Sequence, residues 1–266
     1  MTMAIAHREW RRRTPRQRLI RFLAYLAALS VIVWAMSDVD IVVPWLLDAP
    51  RAIGDLMGRM MPPDFTKMDA IVKALLETLN IATIATALAV LLSLPVAYIA
   101  AQNTTPNRAF LWLGRFILVS SRSVNTLIWA LLFVAIFGPG VLAGILAIAF
   151  RSIGFLGKLL GEAIEEVDRK PIEAIEATGA SRAKMILYGI VPQVVPTFLA
   201  VAILRWDINL RESTVLGLVG AGGIGLLLQG AIDTFAWQVV AAILLAIIVL
   251  VLLGEALSGW LRRKVI

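Results

Sequence analysis

Long uncharged apolar runs dominate the chain, with little of the strand-like alternation of a soluble sheet protein. Residues 22–37 hold no charge, enough for a slightly short membrane span with Arg21 snorkelling at its edge. Further runs predict spans over about 76–101, 110–137 and 141–161, one rising from about Ile186, and a last one over 236–260. Polar or breaker residues separate them: 102–108 reads as one turn, and Gly138-Pro139-Gly140 as another on the opposite side. Between the first two spans, residues 38–69 hold six aspartates and only Arg51, Arg59 and Lys67 as bases. Within it Ile53, Leu56, Met57, Met60 and Met61 recur at helical spacing, bounded by Pro50 and Pro62-Pro63. This predicts a short amphipathic helix on the outer membrane surface, an interfacial anchor or a contact for a partner.

Composition agrees with a bilayer as the solvent. Hydrophobic residues make up 60% and charged residues 16%, and mean hydropathy is +0.86. A soluble domain carries about a quarter charged residues and has no core large enough to hide so much apolar surface. The net charge of +7 reads as Arg and Lys anchoring cytoplasmic loops to anionic headgroups rather than as a nucleic-acid surface. Residues 1–21 carry seven arginines and one acid, Glu9, and the chain closes on Arg262, Arg263 and Lys264. Both termini are therefore expected in the cytoplasm. The N-terminal stretch lacks the small-residue cleavage site of a secretory signal. With no cysteine and a single histidine, His7 in the Arg-rich tail, thiolate or imidazole metal sites and acid–base catalysis are not expected. No catalytic residue is assigned.

One polar segment stands out. Residues 162–185 hold Glu162, Glu165, Glu166, Asp168, Glu173 and Glu176 against Arg169, Lys170, Arg182 and Lys184. Pro171 suits a first helical turn, Glu173 and Glu176 its positive end, and Gly179 a left-handed stop. A second helix is expected from Ser181 into Pro192. The outcome is a charged helix–Gly–helix elbow able to dock in a groove of a soluble partner.

This elbow resembles that of ABC-type importer permeases, marked by an E-A-A triplet, a Gly four residues on, and an I-x-L-P element ending thirteen residues past the Gly. The chain has Glu173-Ala174-Ile175, Gly179 and Pro192 at that spacing, departing at Ile175, Gly189 and Val191. Farther on, residues 205–211, Thr214-Val215-Leu216-Gly217 and 219–225 are similar to the phosphonate branch, which includes phosphite and hypophosphite relatives. The likeness runs from about residue 72. Methionine-importer permeases are the nearest competing family.

The resemblance implies an all-α, polytopic fold of about six transmembrane helices, the MetI-like fold of type I importers. Residues 1–71 form the tail, first span and external segment, and 72–261 the permease core. Glu173, Ala174, Glu176, Gly179 and Pro192 are the implied coupling residues. Implied partners are a second copy, two ATP-binding cassette subunits holding ATP and Mg, and a periplasmic or lipid-anchored binding protein. The setting is the bacterial inner membrane, and this chain itself binds no cofactor.

Two glycine motifs look like nucleotide sites and are not. Residues 220–225 fit G-x-G-x-x-G, but a membrane helix precedes them and the next acid, Asp233, comes too early. Residues 154–158 lack the spacing and hydroxyl of a P-loop. Gly217, Gly220, Gly222, Gly223 and Gly225 instead break the fifth span, as a gate hinge or for close helix packing.

Charge at membrane depth is costly, about 2.5–3.5 kcal/mol for an Arg at mid-helix, so such residues face a cavity or a partner. Arg151 falls about 15 Å into the fourth span, and Arg205 about 20 Å beyond Pro192. Arg205, Asn209 and Glu212 share a helix face, while Asp207 and Arg211 pair on the other. Arg205 and Asn209 are thus expected free to line a route for a small oxyanion with Arg151, an arrangement that suits phosphonate or phosphite oxygens. Structural ion pairing stays open as the other role. Arg122, beside Ser120, Ser121, Ser123 and Asn125, either joins that route or snorkels. Two further classes differ in what they require: an ion-coupled secondary transporter needs no ATPase, and a membrane phosphotransferase needs His or metal-holding acids on facing spans.

Overall fold

The computed structural model describes residues 15–39 and 43–265. The Arg-rich tail to Thr14, with His7 and Glu9, lies outside them. Every regular element among the described residues is helical. Contacts divide the chain into two compact units, Met1–Leu56 and Met57–Ile266.

The first unit contains α1 (Pro15–Asp38), a helix exposed along its length and apolar enough to span a membrane. It also contains most of α2 (Val43–Met60). The expected amphipathic helix is there, but Pro50 does not bound it: the helix starts at Val43 and carries Pro50 inside.

The second unit has four long spanning helices: α3 (Met68–Ala100), α6 (Val141–Glu165), α9 (Val191–Leu216) and α11 (Trp237–Val265). The run at 110–137 is not one straight span. It is α4 (Arg108–Ser123) and α5 (Thr126–Phe137), meeting at 92°. The cause is capping. The Asn125 side chain accepts from Leu127 N at 3.0 Å, and Val124 and Asn125 adopt extended backbone, so a new helix starts there.

Packing follows membrane rules. Lipid is as apolar as leucine, so helices associate through close approach of small residues. On α3 the buried face is Thr78, Ala82, Ala85, Ala89, Ser93 and Ala97, and on α6 Ala143, Gly144, Ala147, Gly154, Gly157 and Gly161. A Cβ on Gly154 would stand 2.6 Å from the Leu118 carbonyl oxygen of α4, and one on Gly157 3.7 Å from the Ser93 carbonyl oxygen of α3, so α6 packs on the backbone of both. Large side chains point out instead, among them Leu91 of α3 and Ile248, Leu252 and Leu253 of α11. This is the reverse of a soluble core. Short segments finish the unit: α7 (Arg169–Glu176), α8 (Arg182–Met185), a π-helical turn (Ile186–Ile190) leading into α9, a 3₁₀ turn (Gly217–Val219) and α10 (Ile224–Asp233).

Candidate functional site

The site is built where α9 crosses α5 and α6. Arg205 is 3% exposed. Its Nε donates to Ser152 Oγ at 2.9 Å and its Nη2 reaches both Glu212 carboxylate oxygens at 3.5 Å. Its guanidinium also lies 5.2 Å from the centroid of the Phe155 ring. Ser152 Oγ donates to Asn209 Oδ1 at 3.1 Å, Asn209 Nδ2 to Thr86 Oγ1 at 2.8 Å, and Thr86 Oγ1 to the Ala82 carbonyl at 2.6 Å. Each hydroxyl thus donates once and accepts once, so this buried polar chain is satisfied from Arg205 to the α3 backbone.

Glu212 is the hub. It accepts from Arg151 Nη1 and, at 2.7 Å, from Thr126 Oγ1 at the start of α5. Two guanidiniums share one carboxylate, leaving one net positive charge. The buried Arg151 Nε has no partner. The sequence-based expectation that Arg205 and Asn209 stand free is corrected: Glu212, two helical turns after Arg205, folds back on it, and Ser152 and Thr86 hold Asn209. Arg211 and Asp207 do pair, at 2.7 Å. Arg122 stands apart from this network. It lines a cavity of about 260 Å³ with Arg115, Lys158, Glu162 and Glu165, towards the elbow ends of α3 and α6.

The glycine loop caps the other end of α9. Gly220, Gly222 and Gly223 all have φ between +74° and +82°. Gly223 N donates to Glu77 Oε1 at 2.8 Å and Ile224 N to Thr78 Oγ1 at 2.7 Å, so α3 holds the first turn of α10. A Cβ on Gly225 would fall 2.5 Å from the Thr214 carbonyl and 2.9 Å from Gly217 Cα, so these two glycines let α10 touch the end of α9.

In the elbow, Asp168 caps α7, accepting from Lys170 N at 3.0 Å. Gly179 has φ +75° and donates to the Glu176 carbonyl at 2.9 Å, closing the helix. Glu173, Ala174, Glu176, Gly179 and Pro192 are all exposed, while Ile172 and Ile175 turn inward. Gly189 receives them: a Cβ there would lie 3.1 Å from Ile172 Cγ1 and 3.4 Å from Ile175 Cδ1. Two of the three departures from the importer pattern thus face each other, a larger residue at 175 beside a smaller one at 189. Gln193 clasps the elbow, donating to the Gly189 carbonyl at 2.6 Å and the Asp168 carbonyl at 3.2 Å and accepting from Asp168 N at 3.0 Å. Arg182 ties α8 to the turn after α3 through the Thr104 carbonyl at 3.0 Å.

Sequence reasoning assigned no role to Glu212, Ser152, Thr86, Thr126, Glu77 or Gln193. Only Glu212 left a signal, its place on the face of Arg205 and Asn209.

Residues 93–266 match the model of the family described as binding-protein-dependent transport system inner membrane component. The chain belongs to this family. The phosphite transport system permease protein PtxC of Stutzerimonas stutzeri is 45% identical over 82% of the chain and 79% of its own length. The phosphate-import permease protein PhnE of Mycolicibacterium smegmatis is 41% identical over 89% of the chain and 44% of its own length. Among solved structures, an inward-facing MetNI methionine ABC transporter superposes with TM-score 0.65 at 22% identity, over 76% of this chain and 99% of that one. That likeness concerns the fold, which is the MetI-like permease fold. The chain is therefore a multi-pass inner-membrane permease component, a transport subunit rather than an enzyme.

Proposed function

We propose that this permease carries phosphite, phosphonate or a related small phosphorus oxyanion inward by alternating access, driven by ATP hydrolysed on separate subunits. The observation that carries the reading is the pair of arginines sharing one carboxylate at membrane depth. A surplus cation there is costly unless an anion visits it, and planar guanidiniums match tetrahedral oxyanions in several contacts at once. The names of the phosphite relatives support the same cargo.

In this reading Arg151 and Arg205 border the route with Asn209 behind them, and Arg122 forms a second cationic station nearer the elbow, beside the Arg115–Glu165 and Lys158–Glu162 ion pairs. The working assembly is a homodimer with two ATP-binding cassette subunits, which hold ATP and Mg, and an external binding protein that sets most of the selectivity. Both termini face the cytoplasm, where Arg262, Arg263 and Lys264 meet anionic headgroups. The exposed elbow, carrying Glu173, Ala174, Glu176 and Gly179 ahead of Pro192, docks on the ATPase. The glycines from Gly217 to Gly225 form the gate region.

The test is uptake of radiolabelled phosphite into proteoliposomes holding the full complex. Arg205→Ala should abolish uptake while insertion and assembly persist; wild-type uptake by that variant removes Arg205 from the route. Uptake by the permease alone, without ATPase subunits, would overturn the ATP-driven reading. Gly179→Val should uncouple substrate-stimulated ATP hydrolysis from uptake.

A further inference from the structure

Resting on that reading, we infer that Glu212 is a built-in stand-in for the transported anion: its carboxylate occupies Arg151 and Arg205 until substrate displaces it.

Three observations converge. First, place. Arg151 lies about 15 Å from the start of α6 and Arg205 about 16 Å from the end of α9, so the pair is deep in the span. Yet the Arg151 and Glu212 side chains are 30% and 20% exposed, while Arg205 is 4%. A half-open charge pair at that depth faces water or protein, since hydrocarbon does not solvate it. The network therefore has a sealed side, at Ser152, Asn209 and Thr86, and an open side, at Glu212.

Second, valence. One carboxylate between two guanidiniums leaves the cluster one charge short, and Arg151 Nε remains a buried donor without an acceptor. A carboxylate has two oxygens in one plane. A phosphorus oxyanion has three oxygens on a tetrahedral face, so it can meet both arginines and take the free N–H as well. A dianion in this position would neutralise both cations, which Glu212 alone does not.

Third, anchoring. Arg205 is pinned by Ser152 and stacked over Phe155, so its half of the cationic wall is fixed. Glu212 is held to that wall by long 3.5 Å contacts with Arg205. Its other partners are Arg151 and the single hydroxyl of Thr126, at the 92° joint between α4 and α5. Glu212, bound closely only to the partly exposed Arg151 and to Thr126, can leave Arg205 without disturbing the sealed side.

The exchange makes and breaks only ionic contacts and the Thr126 hydrogen bond, with no covalent step: the anion enters, Glu212 swings towards the open side, and on departure it returns. Its return keeps the arginines from retaining their cargo, so Glu212 is a positioning residue for release.

The experiment measures equilibrium binding of radiolabelled phosphite to the permease–ATPase complex in nanodiscs, without binding protein, alongside uptake in proteoliposomes. Glu212→Gln should bind phosphite about tenfold tighter than wild type and import it about tenfold more slowly. Thr126→Val, which keeps the charge and loosens the carboxylate, should tighten binding about threefold and serves if Glu212→Gln does not assemble. Unchanged or weakened phosphite binding in an assembled variant overturns the inference, while normal wild-type uptake leaves the transport reading intact. A wild-type complex that imports neither phosphite nor phosphonate overturns both.

Discussion

Gly179 in the elbow and Gly223 in the loop after α9 have nearly the same backbone, φ +75° and +74°, in opposite surroundings. Around Gly179 a Cβ would meet nothing within 4 Å. At Gly223 it would meet Thr78 Oγ1 at 2.7 Å and Ile81 Cδ1 at 3.5 Å. The elbow glycine is needed for direction only. The loop glycine is needed for direction and for space, because α3 holds the backbone beside it. The same sequence symbol thus marks an exposed turn free to meet a partner in one place and a fastened joint in the other.

The contrast breaks if the two respond alike to substitution. Gly223→Ala should cost the most, roughly 2–5 kcal/mol from the left-handed backbone and the overlap with Thr78 together. Thermal unfolding of the purified protein in detergent reads this, and a loss no greater than at Gly179 would erase the distinction. Glu77→Ala removes the acceptor of Gly223 N and should cost about 1–3 kcal/mol by the same assay. Gly189→Ile should destabilise by about 1–3 kcal/mol, because Ile172 and Ile175 fill the space it needs. Adding Ile175→Ala should restore part of that loss, and strict additivity would show that 175 and 189 are not a matched pair. Gly179→Ala should be mildest, about 1–2 kcal/mol from φ alone, with insertion unchanged.

Much of this molecule was readable from residue order. Long apolar runs set the helices, and Pro171, Gly179 and Ser181 marked the elbow, where Gly179 does take the left-handed turn and Ser181 stands at the head of α8. The 92° joint escaped because its neighbours are so apolar that 110–137 satisfies the length of one span. The polar run from Ser120 to Asn125 fits the interior of a third span as well as a break in it, yet Asn125 is an N-cap. Pro50 misled in the other direction, since a proline read as a boundary sits inside α2. The network was half legible. Periodicity placed Arg205, Asn209 and Glu212 on one face, but the meeting of Arg151 and Thr126 with Glu212 depends on how three helices cross, which spacing within one helix does not encode. Gln193 had no signal at all: its contacts exist only because the elbow folds back on the start of α9.

The seam of alanines, serine and glycines between α3 and α6 carries a mechanical corollary. Helices meshed at backbone distance act as a single stave, since sliding one past the other by a residue drives carbonyls into the neighbouring chain. Of the long helices in Met57–Ile266, α6 is the most enclosed. Any swing of this molecule then has α6, gripped from several sides, as its fixed post.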